Sequence, residues 1–264
     1  MKEKQKTEGR KPVLVLSGLD PSGKAGMLRD VRVISELGGW VLAVPTALTI
    51  QDFSVNYGFE PLGAELFEKM LLVILRECAP ASVKIGMVPT MEIAQVLADA
   101  LSKLEAPVVY DPVMRSSDGA PLMNDGEESD IFELLAGIST VITPNIPEAS
   151  FFSGVSRRCG DFEKSAALSL LTKMTAEKKS PRSNATKAVL LKGGHSSGGE
   201  VVDILFTSNG GRFEYTRKRR GDIIRGSGCA LSSAMAMFLA DGAELERSFL
   251  LAEEVMDGII ERVR

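Results

Sequence analysis

Short runs of consecutive apolar residues recur along the chain, each closed by a glycine or a polar residue, and between them the apolar positions spread to helical spacing. Residues 13–16, Val-Leu-Val-Leu, predict a strand buried on both faces. Leu28, Val31, Ile34 and Leu37 then predict a one-sided helix over 27–37, stopped by Gly38-Gly39. The alternation continues with a strand over 41–50, an edge strand or flap over 55–62, a helix over 66–77 and a strand over 82–85. Thr90 predicts an N-cap with Ile93 as the first inward residue of a helix reaching about residue 104. Strands over 107–114 and 140–143 flank a short helix over 131–135, and further helices start at 145–148 and run over 161–178. A strand over 188–191, a hairpin of 201–207 with 212–215 around Asn209-Gly210, and two closing helices complete the pattern. Strand alternating with helix implies an α/β fold, a mostly parallel sheet with helices on both faces.

Composition narrows the reading. At 264 residues, with no Pro/Ser-rich or charged linker near the middle, the expectation is a polar tail over 1–11 and a single domain over 12–264. A net charge of -4 argues against a nucleic-acid partner, and the short basic cluster 217–220 is expected on a solvated face or loop. Three cysteines, a charged opening and no apolar run long enough to span a bilayer predict a cytoplasmic protein without a membrane partner. The single histidine, His195 in a Gly/Ser-rich loop, leaves no room for a His-based zinc site or a Ser-His-Asp triad.

The densest chemical signal is Gly226-Ser227-Gly228-Cys229 running into an Ala-rich helix former, within the stretch 222–236. Glycines at a helix start leave amide N–H groups free to form an anion hole. Cys229 is expected at its mouth with a thiol acidified by the helix N-terminus, or else as a small core residue. Gly18 and Gly23-Lys24 imitate G-x-x-x-x-G-K, but Ala25 lacks the Mg²⁺-binding hydroxyl and Pro21 removes an amide, so the loop is assigned to a small substrate. Gln51 ends its strand either as a reader of a polar heterocycle or pointing at solvent. Asp111, at the carboxyl end of a buried strand, is a candidate Mg²⁺ ligand or a turn cap. Asn145 and Glu148 are spaced to face one phosphate and metal, and Lys192 offers a point charge to a nucleotide phosphate.

Seven stretches in order carry a resemblance: Ser17 to Gly23 with Ala25, Gly26 and Asp30; Thr46 to Thr49 with Gln51; Lys84 to Met87; Asp111 to Met114; Ile142 to Asn145 with Pro147 to Ala149; Leu191 to His195; and Gly226 to Cys229 with Leu231 and Ser232. The chain resembles the hydroxymethylpyrimidine and phosphomethylpyrimidine kinases of thiamine biosynthesis, in the ribokinase-like superfamily. The resemblance implies ATP-dependent phosphorylation of a hydroxymethylpyrimidine, of its monophosphate, or of both, with ATP and Mg²⁺, and a homodimer. It also implies that Asp30 and Gln51 contact the pyrimidine, that Met87 and Val113 line its pocket and that Gly18 lies beneath it. Asp111, Asn145 and Glu148 would serve Mg²⁺ and phosphates, Lys192 the nucleotide, and Cys229 would stand where sugar kinases carry an aspartate base. Lys24, Asp52, Arg225 and Ser227 depart from the family pattern of Gly, Asn, His and Thr. Lys24 and Arg225 are expected to add positive charge near the acceptor and to favour the monophosphate. Kinases of pyridoxine-like rings or sugars, a P-loop NTPase and a non-catalytic pyrimidine- or nucleotide-binding module are the competing readings.

Overall fold

The first strand sets the layers. Val13 and Val15 point into one apolar cluster and Leu14 and Leu16 into the other, all fully buried. Burying each such side chain is worth about 1.5–3 kcal/mol, so a one-residue slip, which swaps the faces, is strongly disfavoured.

The computed structural model describes residues 11–176, 185–195, 199–219 and 225–262. In chain order its elements are β1 (Pro12–Leu19), α1 (Gly26–Glu36), β2 (Trp40–Gln51), β3 (Asn56–Pro61), α2 (Ala64–Glu77), β4 (Ser82–Ile85), α3 (Met91–Leu101), β5 (Val108–Tyr110) and α4 (Glu128–Ile138). There follow β6 (Val141–Ile142), α5 (Ile146–Ser153), α6 (Phe162–Ala176), β7 (Ala188–Leu191), β8 (Glu200–Thr207), β9 (Arg212–Lys218), α7 (Ser227–Ala240) and α8 (Leu245–Arg262). The strands form one sheet in the order β3-β2-β1-β4-β5-β6-β7-β8-β9. From β2 through β7 neighbouring strands are parallel, and β3, β8 and β9 add antiparallel edges. Helices α1, α7 and α8 supply the core on one face, and α2 to α6 the core on the other.

The chain leaves β1 toward β2 on one side and returns to β4 on the other. The crevice outside the carboxyl ends of strands that diverge in this way is where open parallel sheets bind ligands. The loops after β1, β4, β5, β6 and β7 all end there. Over it lies α7, buried almost all round, as its apolar composition requires.

Several boundaries differ from the sequence reading. The buried positions of α1 are Met27, Asp30, Val33 and Ile34, while Leu28 is exposed, so the helix is rotated from the expected face. Residues 107–114 and 140–143 give strands of only three and two residues. After Tyr110 the chain turns, Val113 N donating to the Asp111 carbonyl at 2.8 Å. Helix α4 is longer than 131–135, and the end expected for α6 near 178 lies outside the described residues. Gly193–His195 forms a single 3₁₀ turn. Within the basic cluster, Arg217 is not solvated. The two-residue period of β9 turns it inward with Tyr215, where it pairs with Glu253, Asp203 and Asp257. Arg220 lies outside the described residues.

Candidate active site

A cavity of about 330 Å³ occupies the crevice. Gly226 is the N-cap of α7 at φ 76°, ψ 11°, and a Cβ there would lie 2.1 Å from the Lys24 carbonyl oxygen. The loop before α7 and the loop after β1 are therefore packed backbone against backbone, which only glycine permits. A Cβ on Gly228 would sit 3.0 Å from Lys192 Nζ and 3.9 Å from Asp111 Oδ2, so the helix N-terminus, the ammonium and the carboxylate converge on one point. Residues 222–224, the lead-in to this segment, lie outside the described residues. The β1 loop spends amides on its own aspartate: Asp20 Oδ1 accepts from Ser22 N at 2.8 Å and Oδ2 from Ala25 N at 2.9 Å. With two amides held this way and none offered by Pro21, the loop does not cradle a phosphate as a P-loop does.

Asp111 is fully buried, and Lys192 Nζ donates to its Oδ1 at 2.6 Å, with Thr143 Oγ1 at 3.1 Å. Ser232 Oγ, one helical turn beyond Gly228, reaches Oδ2 at 3.4 Å. Burial pushes the carboxyl up, but the Lys192 and Lys84 ammoniums outweigh it and hold Asp111 below the usual carboxylate range. Glu148 behaves in the opposite way. Buried and facing Asp111, it is pushed up to about 7 despite Lys192 and the Asn145 amide. Asn145 and Glu148 form a capping box on α5: Asn145 Oδ1 accepts from Glu148 N at 2.9 Å and Glu148 Oε2 from Asn145 N at 2.9 Å. Asn145 thus spends its carbonyl on the helix, leaving its amide donors toward the cavity it lines. Among the described residues no group of three or more His, Cys, Asp and Glu could hold a metal. Two buried carboxylates of one sign beside a phosphate-sized cleft fit Mg²⁺, which keeps most of its waters and takes one or two protein carboxylates.

Cys229 lines the cavity in the first turn of α7, half-buried. Its thiol is not acidified as the helix N-terminus led us to expect. Burial pushes it up to about 11, with Asp30 and Asp111 adding to the rise and Lys84 and the Gly26 amide only partly opposing it. At neutral pH it is a protonated thiol. We expect Cys229→Ser to lower kcat more than it raises KM, because it nearly keeps the volume and changes only the group that the first turn of α7 presents to the cavity. Steady-state kinetics check this, and an unchanged kcat would leave Cys229 a packing residue.

Gly18, Gln51, Met87 and Val113 all line the cavity near the ends of β1, β2, β4 and β5. Asp30 does not. It is fully buried between Lys84 Nζ of β4 at 2.9 Å and Ser233 Oγ of α7 at 2.8 Å, so it is a core charge near the site and not a residue that lines the cavity. Its place was readable from its spacing three residues after Met27 and four before Ile34 on the helix face that is buried. Lys24 also lies outside the cavity, its ammonium 4.9 Å from the Phe53 ring centroid, while Arg225 lines it. Four residues given no role from sequence turn out to order the site. Asp20 fixes the β1 loop, Thr143 and Ser232 hold Asp111, and Lys84 lies beneath all of them. Thr143 carried a signal in its position at the carboxyl end of a strand; Lys84, inside one, carried only its place in the resembling stretch Lys84 to Met87.

A cleft that converges an ammonium, a helix N-terminus and two carboxylates, and offers no activated nucleophile, is suited to holding and transferring a phosphoryl group, where positioning and charge compensation do most of the work. The chain is a phosphotransferase with a ribokinase-like α/β fold. The model of the phosphomethylpyrimidine kinase family matches residues 20–263, and the chain belongs to that family. It is 33% identical over 223 residues to the hydroxymethylpyrimidine/phosphomethylpyrimidine kinase of Aquifex aeolicus, covering 84% of this chain and 83% of that one. The crystal structure of phosphomethylpyrimidine kinase from Clostridium difficile 630 superposes with a TM-score of 0.79 at 31% identity, over 95% of this chain and all of that one. Pyridoxal kinase from Staphylococcus aureus, solved in complex with AMP-PCP and pyridoxal, is similar at a TM-score of 0.79 and 25% identity, over 94% of this chain and 87% of that one.

Proposed function

We propose that this chain transfers the γ-phosphoryl group of ATP to 4-amino-5-hydroxymethyl-2-methylpyrimidine, to its monophosphate, or to both, in thiamine biosynthesis. The observation that carries the reading is the meeting of Gly228, Lys192 and Asp111 at the start of α7, within one cavity. At one end Gly18, Gln51, Met87 and Val113 provide an apolar slot with one amide, suited to a small aminopyrimidine. At the other, Val201, Met256 and Ile260 provide an apolar wall for the adenine, with Lys192 placed for the phosphates. The amides from Gly226 to Cys229 would bind the equatorial oxygens of the transferring group. Asp111 and Glu148 would hold Mg²⁺, directly or through its waters, with Asn145 beside them; a bound Mg²⁺ supplies the charge that offsets the phosphates. The Cys229 thiol, which keeps its own proton at neutral pH, would face the acceptor oxygen as a weak hydrogen-bonding group and not as the base, and the acceptor's proton would pass to an oxygen of the transferring phosphoryl group.

The test is ADP release from MgATP with the hydroxymethylpyrimidine and, separately, its monophosphate. Turnover with either supports the reading, and the ratio assigns the step. Pyridoxal belongs in the panel because of the likeness to pyridoxal kinase, and turnover with it alone would replace the pyrimidine. Binding of the pyrimidine without any ADP release would instead make the chain a binding module.

The same reading includes a homodimer. Leu48 and Ile50 stand 46% and 62% exposed on one face of β2, and Ile50 is paired with Gly58 of the edge strand β3, which has no side chain to cover it. Apolar residues left open beside a sheet edge mark an association surface. Ile50→Glu is expected to shift the chain to monomer in sedimentation velocity, whereas a monomeric parent chain would end the dimer proposal. No helix among the described residues is long and apolar enough to cross a membrane.

A further inference from the structure

We propose that Arg225 is the acceptor-selecting residue of this site, and that it favours an acceptor already carrying a phosphate. The inference rests on the kinase reading above and names which of its two acceptors the chain is built for. Arg225 immediately precedes Gly226 and lines the cavity. Its Nη2 donates to Gln51 Oε1 at 2.8 Å, and Nη1 makes a long contact to the Asp52 carbonyl at 3.4 Å. Both partners are neutral oxygens, and among the described residues the guanidinium forms no ion pair.

Asp52 and Asp118 feel the guanidinium's charge, but neither forms an ion pair with it among the described residues, and both accept from other donors. Asp52 Oδ1 accepts from Ser54 N at 2.7 Å and Val55 N at 2.8 Å, and its Oδ2 from the Tyr57 hydroxyl at 3.0 Å. Asp118 Oδ2 accepts from Asn56 N at 2.7 Å, and its Oδ1 from Ser116 Oγ at 2.5 Å. A fixed positive charge with a planar fork of donors, of which two are directed at the described residues, therefore stands between the amide of Gln51 and the N-terminus of α7. A phosphate on the exocyclic carbon of a ring held at Gln51 would occupy that interval. Such a fork binds a phosphate in a bidentate manner, whereas an alcohol presents one neutral oxygen. Lys24, expected to share this task, does not reach the cavity and stacks on Phe53 instead.

One alternative gives Arg225 to the nucleotide, clamping the γ-phosphate whatever the acceptor. The two assignments separate in the ratio of kcat/KM for the monophosphate to kcat/KM for the alcohol, measured at saturating MgATP. We expect Arg225→Met to lower that ratio by about 10- to 100-fold, the worth of a charged hydrogen-bonded contact, and Arg225→Lys to restore part of it. Calorimetric titration of the nucleotide-free protein should show the monophosphate losing affinity in Arg225→Met by more than the alcohol does. An unchanged ratio, with both acceptors weakened alike, would assign Arg225 to the nucleotide or to anchoring Gln51 and overturn the proposal. Absence of turnover with both acceptors in the parent chain would overturn the kinase reading and this inference with it, an outcome distinct from an unchanged ratio.

Discussion

Lys84→Met is expected to destabilise the protein by about 3–5 kcal/mol, the cost of leaving one partner of a buried ion pair alone. Lys84 sits in β4, where Val83 and Ile85 face one apolar layer and the two-residue period sends Ser82 and Lys84 into the other. There Ser82 Oγ donates to the Ala236 carbonyl of α7 at 2.7 Å, and Lys84 meets Asp30 of α1 with both side chains fully buried. Burial disfavours the ammonium, but Asp30, Cys229 and Asp111 together raise the Lys84 pKa above its usual value, so it stays charged. Methionine fills the space and leaves Asp30 with only Ser233 as a donor. The penalty should shrink at acid pH, because an orphaned carboxyl whose native pKa exceeds its unfolded one loses stability as pH rises. Replacing both residues, Lys84→Met with Asp30→Leu, should recover most of the loss. Urea unfolding of the parent and the two variants at pH 5 and pH 8 measures all of this. A single-variant loss below about 1 kcal/mol would mean the pair is solvated after all.

That pair also shows where the sequence stops being informative. The layered α/β fold was legible because apolar runs and helical spacing are local signals, and glycines and prolines punctuate them. Thr90 as an N-cap was legible for the same reason, its Oγ1 accepting from Ile93 N at 3.4 Å. Strand ends were less so. Residues 107–114 continue apolar after the chain has left the sheet, since Val113 lines the cavity and Met114 packs against the core from outside the strand. Arg217 was misjudged because its partners Asp203, Glu253 and Asp257 come from β8 and α8, a pairing no local window contains. Asp111 and Lys192 could be named from their places at strand ends, a rule of parallel sheets, and Glu148 from its spacing to Asn145 at a helix start. The thiol of Cys229 could not, because helix position alone omits both its burial and its two acidic neighbours.

Glu148→Gln is expected to separate the demands of folding from those of chemistry. The substitution keeps the capping box, since a glutamine oxygen accepts from Asn145 N as well as a carboxylate does, and removes only the charge. In the parent chain the Glu148 carboxyl titrates near 7, raised from its ordinary value by burial and by Asp111. Between about pH 4.3 and that value the unfolded chain has released a proton that the native chain still holds, so this group makes the protein less stable as pH rises. Glutamine does not titrate. In EDTA the variant should therefore gain on the parent by about 1–3 kcal/mol between pH 5 and pH 8, read as the change in their difference by urea unfolding. Catalysis should move the other way, with kcat/KM falling by about 10²-fold or more, because the proposed mechanism sets that costly charge against Mg²⁺ and the phosphates. MgADP should raise Tm less in the variant than in the parent at pH 8. Parallel stability curves across that pH range would show that Glu148 is ionised at little cost, and would remove the argument that a strained carboxylate is kept here for the metal.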